Sequence, residues 1–375
     1  MKRRKITGAL LFALLGVFVT GCSLSGEALS PPTIVINENV ELESSLADSY
    51  LELTREADLT FNQAITFREL SKIDEKYALY NQKNRFYKYD FENGSMTKLV
   101  DKEISTISED GTKALAITTN AAFVYHLDTM EEKKIDVTGK DELFFVDKKG
   151  DFVGYFDSAE ATANIIDVNT NRKIVYELDN YFTVENMMIS KIIMEGDSMY
   201  LSIHTQKDGY NIYKIDANKQ AKALLPSTKN DILLADFDVL ADGRVIFDGF
   251  YGEGSGLFLF NPNNKQVKQL IAGGKDSEGK WTPSFKLSPD GTKIMFDMPV
   301  QVMGKFKTNI YMAELHDEKV VNSMRILEQV DTPAVISIVG FWSADSTTAL
   351  IALSDEDAKE YDRTIVEQIA VFKLQ

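Results

Sequence analysis

An all-β fold is predicted by three features of this sequence: a turn-centred unit that recurs seven times, a spacing of about 36 to 48 residues between most copies, and an apolar-aromatic strand after every turn. Together they specify a single β-propeller of seven four-stranded blades, with a short N-terminal helix. The clearest unit is Lys286-Leu287-Ser288-Pro289-Asp290-Gly291-Thr292-Lys293-Ile294-Met295-Phe296, in which a Ser-Pro-Asp-Gly turn joins two strands. Glycine there supplies the positive φ that tight hairpins require.

Weaker copies run from Ile107 to Ile117 around Asp110-Gly111, from Leu240 to Phe247 around Asp242-Gly243, and through Trp342-Ser343-Ala344-Asp345-Ser346-Thr347. Degenerate copies centre on Gly150 and Gly196, and the faintest, Lys72 to Leu79, precedes them all. The strand that follows each turn reads Arg85 to Asp90, Ala122 to Asp128, Asn164 to Val168, Asn211 to Asp216, Leu257 to Asn261, Asn309 to Ala313 and Gln368 to Phe372. A fourth, outer strand such as Lys265 to Leu270 completes a unit.

The last unit has no room for an outer strand after Phe372, and an open edge invites non-native pairing. The β-rich segment Thr33-Ile34-Val35-Ile36-Asn37 is expected to close the ring, which gives a propeller domain over 33–375 with blades over 60–375. Between that strand and the first blade, Leu42, Leu46, Tyr50, Leu53 and Ala57 recur at helical spacing, and Ser45 and Asp48 are placed like a capping box. A packing helix over 44–58 is expected. The segment from Asp297 to Phe306 reads as an extended hairpin.

The N-terminus carries an address. Met1-Lys2-Arg3-Arg4-Lys5 precedes an apolar run from Ile6 to Val19 that is short for a membrane span, and Val19-Thr20-Gly21-Cys22 follows. These four residues resemble the bacterial lipobox, which implies a signal peptide over 1–21, cleavage between Gly21 and Cys22, and a diacylglycerol on the Cys22 thiol. Cys22 is the only cysteine, so the body has no disulfide and no thiolate metal site. Two or three acyl chains on one residue anchor durably, because each buried methylene contributes about 0.8 kcal/mol. Small, polar and proline residues over 22–32 read as a flexible tether. Membrane lipid is therefore the expected partner through Cys22, on the extracytoplasmic face.

Removing the four basic residues of the leader from 41 leaves 37 against 57 acidic ones, a net charge of about −20. A phosphate backbone would be repelled by such a surface, and no basic run interrupts it, so no nucleic-acid partner is expected.

The Ser288-Pro289-Asp290-Gly291-Thr292-Lys293-Ile294-Met295-Phe296 stretch resembles the PD40-type repeats of TolB-like propellers, and Trp342 to Ser346 is similar to a decayed copy. Lipobox and repeats together resemble the YqgU-like propeller lipoproteins of Bacillus-type bacteria. The resemblance implies an envelope location and no particular chemistry. Relatives with six blades make six the alternative count.

Catalytic chemistry is thinly represented. His126, His204 and His316 are the only histidines and are far apart in sequence, with the first two in strands and the third in a turn. Gly252-Glu253-Gly254-Ser255-Gly256 does not have the spacing of a nucleophile elbow or a P-loop and reads as an inter-strand turn. Asp236, Asp238 and Asp242 have a partly calcium-like rhythm, but Leu240 occupies a ligand position and no terminal Glu completes the loop. No catalytic residue, metal ligand or cofactor is assigned.

Partner contacts are expected at aromatic positions near strand ends, Tyr251, Trp281 and Trp342, because propellers bind through loops on one face. Inter-blade packing competes with binding at each of the three. The functional expectation is a membrane-anchored binding or scaffold propeller for an envelope protein or other component. The alternatives are a carbohydrate-active or hydrolytic enzyme with convergent acids at the channel mouth, and a small-ligand capture lipoprotein with an enclosed pocket.

Overall fold

The computed structural model describes residues 51–374, apart from 120, 138–141, 183–186, 206–208, 227–231, 276–279, 303–304, 332–334 and 355–362. Within it, seven antiparallel sheets of four strands form the blades of a propeller. Six blades are continuous in sequence. Blade 1 begins at Leu70–Ile73, blade 2 at Thr106–Ile107, blade 3 at Phe144–Phe145, blade 4 at Met188–Glu195, blade 5 at Leu233–Val239 and blade 6 at Phe285–Leu287, and each adds its next three strands in order.

Blade 7 is composite. Gly340–Trp342, Thr348–Leu353 and Gln368–Leu374 supply three strands, and Leu53–Arg55 supplies the fourth by pairing with Gln368–Leu374. Here the expected assignments change. The expected closing strand at 33–37 lies outside the described residues, and the pairing it was meant to make is made by 53–55. Of the helix expected over 44–58, residues 44–50 lie outside the described part, and Leu53–Arg55 is extended. Helical spacing is a local preference, whereas the unpaired edge of Gln368–Leu374 offers a row of donors and acceptors that another strand satisfies along its length.

Why these residues make blades is visible in the turns. In blades 2, 6 and 7 the serine that opens the turn folds its hydroxyl onto the aspartate two residues on, with Ser108 Oγ 2.7 Å, Ser288 Oγ 2.5 Å and Ser343 Oγ 2.6 Å from Asp110, Asp290 and Asp345 Oδ1. The same oxygens accept the N–H of Lys113, Lys293 and Thr348 at 2.9, 2.9 and 2.8 Å. Gly111, Gly243 and Gly291 take positive φ at the expected place, and in blade 7 Ser346 takes it instead, at 61°.

The aromatic positions of the second and third strands face one another across the ladder. Phe247 pairs with Phe258 and Phe296 with Tyr311, their rings stacked at 5.3 and 5.1 Å. Alternation sends side chains to both faces of each blade, so the core is a set of layers between neighbouring blades rather than one central mass. Leu115, Val124, Val153 and Ile166 fill the layer between blades 2 and 3, and Ile212, Phe237, Phe247 and Phe258 the layer between blades 4 and 5.

Blade 6 departs from its siblings in length. Its strands Lys293–Val302, Lys305–His316 and Lys319–Val330 run to 10, 12 and 12 residues, in accord with the expected extended hairpin after Phe296.

Candidate functional site

The first strand of each blade lies innermost, beside the first strands of neighbouring blades, and one set of its alternating side chains is turned toward the propeller axis. Counting back two residues from the N–H that closes each turn gives Lys72 in blade 1, Asp238 in blade 5, Lys286 in blade 6 and Phe341 in blade 7. The turns of blades 2 and 3 add Glu109 and Lys148, and blade 4 adds Lys191 from deeper in its strand. Six of the seven blades thus deliver a charge to one region.

Distances show that these charges meet. Lys148 Nζ lies 3.6 Å from Glu109 Oε1 and 3.7 Å from Asp238 Oδ2, joining blades 2, 3 and 5. Lys191 Nζ is 2.8 Å from Asp236 Oδ1 and donates to Phe237 O at 2.7 Å. Lys72 Nζ donates to Glu109 O at 3.1 Å and Trp342 O at 3.4 Å, and Lys286 Nζ donates to Ser337 O at 3.4 Å.

The protonation behaviour follows from this crowding. Burial raises the Glu109 pKa, and the nearby Asp238 charge adds to it, over the opposition of Lys148, Lys286 and Lys191. Burial works against the Lys148 and Lys191 ammonium groups, yet the surrounding carboxylates outweigh it and hold both above the usual lysine range. Lys72 goes the other way. Burial and then the Lys286 charge lower its pKa.

Two buried carboxyls lie behind the ring. Asp248 accepts the N–H of Asp236 at 2.6 Å, and burial followed by the Asp236 charge raises its pKa to about 8. Asp297 accepts from Ser284 N at 2.9 Å and Ile336 N at 2.7 Å, and burial raises it to about 6 despite these bonds. Both oxygens of Asp297 are engaged in tying blade 6 to the entry of blade 7, so its role is architectural.

No known family profile and no curated protein sequence matches the chain. Among solved structures, it is similar to the extracellular domain of a putative one-component system from B. thetaiotaomicron, with a TM-score of 0.51 and 12% identity over 85% of this chain and 40% of that one. A chain of the mitotic checkpoint complex matches with a TM-score of 0.49 and 12% identity, covering 96% of this chain and 99% of that one. Porphyromonas gingivalis dipeptidyl peptidase 4 gives 0.45 and 12%, covering 76% of this chain and 46% of that one. The likeness is one of fold.

The three aromatic residues expected at a binding surface go to three different layers. Tyr251 is half-buried against Phe247 and Phe258 between blades 4 and 5, and its hydroxyl donates to Pro226 O at 3.1 Å. Trp281 is half-buried in the layer between blades 5 and 6. Trp342 is 2% exposed, and its indole N–H donates to Lys286 O at 3.3 Å. Its main chain touches the axis instead, since Trp342 O accepts from Lys72. Cys22 and Gly21 lie outside the described residues.

The histidines remain apart. His126 and His316 end strands, and His204 lies against Tyr210 with ring centroids 4.3 Å apart. Among the described residues no group of His, Cys, Asp and Glu is arranged to hold a metal ion, and no helix is long and apolar enough to cross a membrane. The Asp236, Asp238 and Asp242 rhythm does not converge: the first two face lysines at the axis, and Asp242 pairs with Arg244 at 2.6 Å.

An open cleft of about 880 Å³ lies away from the axis, between blades 5 and 6. Several of its charges are used internally, with Arg244 bonded to Asp242 and to Asp317 O, and Glu318 to Asn261. The axis is the better candidate because its charges come from six blades and are partly uncompensated. A signal for it existed in the sequence: superposing the seven turns puts Lys72, Asp238 and Lys286 in one column, where a purely structural strand has no need for charge.

Proposed function

We propose that this chain is a lipoprotein of the YqgU-like kind, anchored through lipid on Cys22 to the extracytoplasmic face of a membrane, and that its propeller binds an envelope component at the axial mouth on the turn face. The observation that carries the binding reading is the convergence of Lys72, Glu109, Lys148, Lys191, Asp238 and Lys286 from six blades. Charges are costly to gather at a partly desolvated axis, and polar groups placed so are typical of recognition surfaces.

The anchor reading is supported by Val19-Thr20-Gly21-Cys22 and the basic, then apolar, leader. Geometry supports the orientation. Leu53 pairs with Leu374, whose N–H donates to Thr347 O in the blade 7 turn, so the chain enters the ring on the face that carries the axial charges. The intervening segment 22–52 spans at most on the order of 100 Å fully extended.

Two experiments test the two halves. Cys22→Ser should move the folded protein from the membrane fraction to the soluble fraction, and retention in the membrane would refute the anchor. Crosslinking in intact cells followed by affinity capture should enrich a component with the wild-type chain. Enrichment should drop several-fold with Lys148→Gln, and an unchanged capture profile would refute the axial assignment.

A further inference from the structure

We propose that Lys72 and Lys286 form an anion subsite at the axial mouth, taking the carboxylate or phosphate group of a small ligand. This rests on the reading of the axis as the binding surface and specifies the chemistry it selects.

Charge compensation at the axis is uneven. Of the four axial lysines, Lys191 is matched by Asp236 at 2.8 Å, and Lys148 is shared between Glu109 and Asp238 at 3.6 and 3.7 Å. Four lysines thus face three carboxylates, an excess of one positive charge, and Glu109 acts on Lys286 only at longer range. Lys72 and Lys286 have only backbone carbonyls, those of Glu109, Trp342 and Ser337. Among the described residues neither has a carboxylate within ion-pair distance. An ammonium has three donors, so Lys72 retains one and Lys286 two for a further acceptor.

Position reinforces this. Blades 6 and 1 flank blade 7, and both lysines reach toward carbonyls of blade 7 or its entry segment. Blade 7 contributes Phe341 at the matching position, so it sends no charge of its own between them. Two like charges directed at one uncharged blade repel, and an anion placed between them removes the repulsion. The lowered Lys72 pKa, caused first by burial and then by Lys286, is in keeping with such an incompletely neutralised pair. Glu109, Asp74 and Asp110 act on Lys72 from farther away and oppose the shift without reversing it.

The context makes the subsite selective. The chain carries 57 acidic against 41 basic residues, so an anion finds a locally favourable field only where lysines go unmatched. A macromolecular polyanion would meet the acidic exterior first, whereas a small ligand reaches the axis alone.

The test is thermal unfolding of the detergent-solubilised full chain at neutral pH and fixed ionic strength, with chloride replaced stepwise by inorganic phosphate in one arm and by succinate in the other. A saturable rise in Tm is expected in at least one arm. Phosphate alone assigns a phosphate group, succinate alone a carboxylate, and both a site for either. Lys286→Gln should weaken the apparent affinity by about tenfold or more, the loss of one charge-assisted bond, and Lys286→Arg should restore it. Lys72→Met should act alike, and Lys286→Gln decides the matter if Lys72→Met fails to fold. No saturable effect beyond chloride, or an undiminished effect in Lys286→Gln, overturns the subsite. Such a failure alongside retained partner capture leaves the binding propeller standing, whereas loss of capture sensitivity at Lys148 with intact anion binding overturns only the partner reading.

Discussion

Leu53 stands directly opposite Leu374 in the ladder of the seventh blade, and two positions on, Arg55 stands opposite Phe372 with its guanidinium carbon 5.8 Å from the ring centroid. Ring closure therefore joins segments that are remote in sequence. Beyond the strand, the Glu56 N–H donates to Val371 O at 3.0 Å. Glu56→Pro removes that donor and should cost about 1–3 kcal/mol, read from urea unfolding, while Glu56→Ala should be near neutral. Size-exclusion chromatography should show self-association of the proline variant alone, through the exposed edge.

Ser288 is the centre of the turn in blade 6, since its hydroxyl serves Asp290, Lys293 O and Lys293 N–H. Ser288→Ala should destabilise by about 1–3 kcal/mol, the range for a buried partner left unsatisfied. The acid limb should change as well. Burial disfavours the Asp290 carboxylate, but bonds from Ser288 and Thr292 and the Lys293 charge prevail and bring its pKa to about 2. A depressed folded pKa gives stability that is present above the unfolded value of about 3.9 and lost as pH falls toward about 2. Removing the Ser288 bond should move that loss to higher pH in an acid titration of Tm.

Asp248 has the opposite sign. With a folded pKa of about 8 against about 3.9 unfolded, the folded state holds more protons, so stability should fall as pH rises from about 4 to about 8. Asp297, at about 6, adds to the lower half of that window. Asp248→Asn keeps an oxygen for the Asp236 N–H and cannot ionise. Its Tm should decline less steeply than that of the wild type across the window and exceed it near pH 8. Equal slopes would show that Asp248 ionises without cost.

Trp342 and Trp281 should separate under substitution. Trp342→Ala empties a fully enclosed position and should cost about 3–5 kcal/mol by chemical denaturation. Trp281 is only half-buried, so Trp281→Ala should cost distinctly less. With only two tryptophans in the chain, the Trp281→Phe variant should show the blue-shifted emission of a buried indole.

The blades were readable because their grammar is local. A turn serine, an aspartate two residues on, a residue of positive φ and an aromatic strand lie within about 20 residues, and each acts on its neighbours through hydrogen bonds and alternation. The axial site was harder to read for the converse reason. Lys148 and Asp238 are separated by two blades of sequence, and each alone is an ordinary surface charge. Trp342 shows a milder form of the same limit, since an indole just before a blade turn favours an inter-blade layer over a binding surface, and only its placed neighbours identify the layer.

What the sequence determined by itself is the repeat: seven units, four strands each, and turns whose chemistry is written in consecutive residues. Which segments meet across the ring was settled by the closed fold alone. Residues 53–55 complete blade 7 because an unpaired strand edge outweighs a local helical preference, and Lys72 and Lys286 come to flank blade 7 because closing seven blades brings the first and the sixth to either side of it.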